Sequence, residues 1–145
     1  MANTLFDKAR QRFLEAQINW MTDTIKCILV DTGAYTPQTA IHGHLADIPL
    51  VARIAGPVTL TAKATTGGAA DAADATFTSV SGASIEAIVI YSDTGTESTS
   101  PLIAYIDTAT GLPITPNGGD IIVTWDKITD EINSLISLTV SPLAA

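Results

Sequence analysis

The chain is short of several things at once. It has a single cysteine, Cys27, so no internal disulfide can form and stability must come from packing or assembly. Charged residues make up only 15% of its 145 residues, and Lys plus Arg number seven. So few charges argue against a coiled coil and against a solvated, disordered chain. No uninterrupted apolar stretch approaches the ~18 residues of a membrane span. The opening MANTLFDKARQRF has no apolar run after its basic residues, so it does not read as a secretory signal, and synthesis and assembly in a cytoplasm are expected.

Basic residues are also unevenly placed. Residues 1–63 carry six Lys/Arg against five Asp/Glu, whereas residues 64–145 carry Lys127 alone against ten Asp/Glu. An acidic portion of this size lacks the basic footprint of a nucleic-acid binder and does not suit an anionic membrane surface. Neither nucleic acid nor membrane is therefore an expected partner.

What is abundant is apolar and β-forming. Hydrophobic residues reach 46%, with 21 Thr, 21 Ala and 17 Ile, and ten Gly and seven Pro are dispersed as turn formers. Residues 3–17 predict the one good helix, capped by Asn3 or Thr4, with Leu5, Phe6, Ala9, Phe13 and Leu14 roughly on one face. Lys8, Arg10 and Arg12 lie on its other faces. Such a helix either covers one end of a sheet or docks as an arm on an acidic partner.

Beyond Trp20, strands are predicted at 24–30, 50–66 (one long strand broken at Gly56-Pro57, or two strands), 75–80, 85–91, 102–106 and 121–125. The strongly apolar 85–91 run reads as central. Residues 34–49, 67–74, 93–100 and 108–120 read as turns and loops, the first with room for a short helix. The predicted fold is mainly β, an antiparallel sandwich of jelly-roll type with one N-terminal helix. Its expected organisation is a helical arm at 1–20, the sandwich at 21–127, and a strand or arm at 128–145. In that last part Ile132, Ser134, Ile136, Leu138 and Val140 share a face if extended, and the four apolar ones suit addition to a sheet edge, their own or a neighbour's.

Chemistry-bearing patterns are few. Asp31-Thr32-Gly33 follows an apolar strand, as the catalytic Asp of aspartic proteases does, and Asp93-Thr94-Gly95 repeats it. Two protease lobes do not fit into this length. Asp31 in a homodimeric hydrolase is the enzymatic alternative, and turn initiation by Asp and Thr is the plainer one. His42 and His44 lack a third ligand, and Asp71, Asp74, Asp93, Glu97 and Asp107 lack the spacing of a calcium loop. Cys27 reads as a core residue, and Trp20 and Trp125 as closing the ends of the core. No catalytic residue, metal or cofactor is assigned.

One resemblance is specific. Residues 86–126, EAIVIYSDTGTESTSPLIAYIDTATGLPITPNGGDIIVTWD, resemble a family of small virion proteins of tailed bacteriophages. Shorter matches lie at Trp20, at residues 25–31, at 45–49 (LADIP) and at 52–54 (ARI), so the likeness spans about residues 1–126. After Trp125 the chain departs from the family pattern. The resemblance implies a capsid cement or decoration protein on the head exterior, with a tail, neck or fibre component as the alternative. The implied partners are the major capsid protein and the chain itself, as a trimer or else a dimer. The candidate contact residues are Lys8, Arg10, Arg12, Ile132, Ile136, Leu138 and Val140.

Overall fold

Apolar runs without alternation need cover on both faces, and two such runs form the middle of the molecule. The computed structural model describes residues 4–67, 69–109, 111–125 and 139–142. It is mainly β, with antiparallel sheets and one α-helix among the described residues. The strands are β1 (Thr4–Leu5), β2 (Ile25–Val30), β3 (Arg53–Thr59), β4 (Ala64–Thr66), β5 (Ala69–Asp71), β6 (Ala75–Phe77), β7 (Ala87–Ser92), β8 (Leu102–Ile106), β9 (Ile121–Thr124) and β10 (Thr139–Pro142). The helix α1 spans Asp7–Leu14, and short 3-10 helices cover Leu45–Asp47, Leu50–Ala52 and Glu97–Thr99. None of the described helices is long and apolar enough to cross a membrane.

The larger sheet has the order β1-β8-β7-β2-β3, so the 85–91 run is central as expected. Every residue of β7 and β8 is buried. β2 and β7 pair without interruption from Ile25↔Ser92 to Val30↔Ala87. A three-stranded sheet follows the order β10-β9-β6, and β4-β5 is a separate hairpin. β6 lies against β3, and β9 alternates buried and half-buried residues, which leaves one of its faces covered. Phe6, Ile25, Leu29, Phe77, Ile88, Ile90 and Leu102 are among the fully enclosed core side chains. Trp20 and Trp125 are buried at 7% and 5% exposure, which fits their expected place in the core.

Several local expectations are corrected. The helix is shorter than 3–17, because Thr4 and Leu5 pair with Tyr105 and Ala104 of β8. Phe6 therefore occupies the N-cap position without a side-chain cap. Its place is held by the Phe6 amide on the Ile103 carbonyl at 3.0 Å and the Asp7 amide on the Thr39 carbonyl at 2.9 Å. Leu14 is 88% exposed and lies off the buried face. The helix ends in a Schellman arrangement: Ala16 takes a left-handed φ of 58°, and the Gln17 amide donates to the Arg12 carbonyl at 2.8 Å.

Gly56-Pro57 does not break its strand. Gly56 has φ +95° and sits where β3 shifts register against Cys27 and Leu29, so the backbones close in without a side chain between them. The expected turn at 67–74 contains β5, and the 75–80 strand stops at Phe77.

Candidate interaction surface

The face that carries the basic residues is assembled from α1 and the 35–53 segment. Ala9 is buried while Phe6 seals the start of the helix against β8. This orients the first turns so that Arg12 meets the 43–44 backbone. Arg12 Nη1 donates to the Gly43 carbonyl at 2.7 Å, and Nη2 lies 3.0 Å from His44 Nε2. A Cβ at Gly43 would stand 2.6 Å from Lys8 Cδ, so a larger residue there would push the Lys8 side chain aside. Arg10 pairs with Asp7 at 2.8 Å and donates to Thr4 Oγ1 at 3.1 Å. Among the described residues the Lys8 ammonium has no carboxylate partner. Lys8, Gln11, Arg12, Glu15 and Gln17 line an open polar groove of about 240 Å³.

The segment beneath is held by side chains bonding to backbone. Asp47 Oδ2 accepts from the Gly43 amide at 2.8 Å and the His44 amide at 3.0 Å. Burial opposes its charge, but these two amides and the neighbouring histidines hold its pKa below the usual carboxylate value. The pKa of His44 is lowered, by burial first and then by the Arg12 charge. Tyr35 stacks on His42, and its hydroxyl lies 2.9 Å from His42 Nδ1.

Arg53 fastens the far end of the segment. Its guanidinium donates to the Ile48 carbonyl (2.6 and 3.1 Å) and the Leu45 carbonyl (2.9 Å), and grips both oxygens of Glu97 at 2.9 and 3.1 Å. This tether presents Leu50 and Val51 to solvent at 73% and 76% exposure. Sequence reasoning missed Gly43, Leu50, Val51 and Arg53. A lone arginine within the apolar VARIAG stretch was the available signal, since a charge there needs partners.

The two Asp-Thr-Gly motifs are both turns. Asp31 Oδ1 accepts from the Gly33 amide at 2.8 Å, and Asp93 Oδ1 from the Gly95 amide at 2.9 Å. Asp93 Oδ2 also pairs with Lys26 Nζ at 2.8 Å. They follow antiparallel neighbours, β2 and β7, and so stand at opposite ends of the sheet, roughly 20 Å apart at ~3.3 Å per residue. The two carboxyls of one chain therefore cannot share a proton. Cys27 is fully buried, and burial pushes its thiol pKa far up. Among the described residues no group of three His, Cys, Asp or Glu side chains is placed to hold a metal.

Of the tail candidates, Ile132, Ile136 and Leu138 lie outside the described residues. Val140 lies in β10, which pairs with β9 of the same chain at Val140↔Val123. Neither a scan against protein-family models nor a search of curated proteins found a match.

Proposed function

We propose that the chain is a structural protein of a tailed-bacteriophage virion. It acts as a cement or decoration protein on the outside of the head, where it bridges neighbouring major capsid subunits. The reading rests on the resemblance to small virion proteins expected from the sequence of residues 86–126. That stretch supplies β7, β8 and β9, the framework on which the remaining elements are hung. The architecture proposed with it is a jelly-roll-type sandwich of the two antiparallel sheets. Three features support the sandwich: burial of β7 and β8 on both faces, the approach of β6 to β3, and the one-sided burial of β9.

The mechanism requires no turnover. Each copy contributes a modest contact, and a closed symmetric array multiplies it. The contacts are assigned to Lys8, Arg10 and Arg12 on α1, the two arginines also bonding within the chain, to the exposed Leu50–Val51 pair, and to the Ile/Leu-rich residues 128–138 that precede β10. Self-association as a trimer at local three-fold joints, or a dimer at two-fold joints, completes the proposal.

The test adds purified protein to shells that lack it and follows co-sedimentation and shell disruption on heating. Saturable binding with a raised disruption temperature is expected. Binding to isolated tails but not to shells would move the protein to the tail, and binding to neither would overturn the reading.

A further inference from the structure

The Arg12–His44 contact constrains the protonation of the ring. A guanidinium has donors and no acceptor, so His44 Nε2, 3.0 Å from Arg12 Nη2, must accept. The ring in this contact is then neutral. A second proton would set an N–H against an N–H and add a positive charge beside Arg12. We propose that this contact is a proton-sensitive latch: uptake of one proton by His44 releases α1 from the 43–47 turn. The inference does not rest on the virion reading, although it shares Arg12 with the contacts proposed there.

Three charged groups act on the ring. Arg12 and Lys8 face it from α1 and oppose the proton, while Asp47 faces it from the Leu45–Asp47 helix and favours it. Glu97, on the 3-10 helix packed against that one, is engaged by Arg53. The strand end that bridges His44 contributes Pro101, which carries no charge. Asp47 Oδ2 already serves the 43 and 44 amides, so a charged ring that turned toward Asp47 would leave Arg12 behind. Arg12 has a second hold on the same turn, the Gly43 carbonyl at 2.7 Å, which must also be given up for α1 to leave.

The direction in pH follows. The folded-state pKa of His44 lies below its ordinary value of 6.5. The latch is therefore complete above about pH 6.5 and is lost as pH falls from there through the lowered value. One linked proton limits the change in the opening constant to about tenfold per pH unit.

The experiment follows the His44 ring by NMR titration and measures amide-exchange protection factors across α1 at about pH 7.5 and about pH 5. His44 should titrate below the ordinary histidine value. Protection of α1 should fall several-fold at the lower pH while β7 and β8 stay protected. His44→Gln keeps a neutral acceptor and should make α1 protection the same at both pH values. A ring that titrates at or above the ordinary value would overturn the latch, as would α1 protection unchanged with pH in the wild type. Should His44→Gln fail to fold, the wild-type titration and exchange decide alone.

Discussion

Arg53→Met should destabilise the fold far more than Glu97→Gln, although the two residues form one ion pair. The Glu97 side chain is 52% exposed, and solvent screens its attraction to the guanidinium. The Arg53 side chain is only 13% exposed, and it also serves the carbonyls of Ile48 and Leu45. Ile48 is fully buried, so its carbonyl would lose the two donors that Arg53 supplies. Leu45 O keeps the Ile48 amide at 3.0 Å and loses less. An orphaned buried acceptor costs about 1–3 kcal/mol, and methionine retains much of the aliphatic packing of the arginine stem. Arg53→Met is therefore expected to lose about 2–3 kcal/mol, which in a domain of this size lowers Tm by about 6–12 °C. Glu97→Gln should melt close to the wild type near neutral pH. Urea titration checks both, with an unchanged m-value showing that stability and not the unfolded state has moved. Equal losses in the two variants would show that the ion pair, not the backbone tether, holds the 45–53 segment, and the reasoning would fail.

Other outcomes follow from local geometry. Gly56→Ala places a methyl 2.9 Å from the Cys27 carbonyl oxygen and 3.0 Å from Phe77 at φ +95°, and should cost about 2–4 kcal/mol by thermal melting. Ala16→Gly relieves the left-handed φ of 58° at the end of α1 and should stabilise by about 1 kcal/mol, read from the denaturation midpoint. Asp31→Asn keeps an acceptor for the Gly33 amide and should shift stability by less than about 0.5 kcal/mol; acid-pH peptide cleavage that vanishes in this variant would instead support the dimeric hydrolase.

The legible parts of the sequence were those whose cause is local. The runs at 85–91 and 102–106 lack alternation because both of their faces are buried, and they form β7 and β8. Asp31 and Asp93 read as turn formers from their side-chain chemistry alone, and both accept from the amide two residues on. The misread parts have long-range causes. The start of the helix is set by β8, which captures Thr4 and Leu5 across a hundred residues of chain. Gly56-Pro57 carries turn residues, yet the glycine is there for the close approach of β2. The 35–53 segment owes its shape to arginines bonding distant carbonyls, such as Arg12 to Gly43 and Arg53 to Ile48, a pattern no periodicity announces. Lys8, Arg10 and Arg12 were visible as a basic cluster, but Arg12 and Arg10 turned out to be engaged within the chain.

The central claim is that this chain belongs to the exterior of a phage head. The most direct test of this proposal is to ask whether the chain is present in purified virus particles from cells that express it, and at what position and copy number, by cryo-electron microscopy supported by quantitative mass spectrometry. The account predicts density for the two β-sheets seated across joints between major capsid subunits, at a fixed copy number set by the shell symmetry. Absence of the chain from purified particles would contradict it.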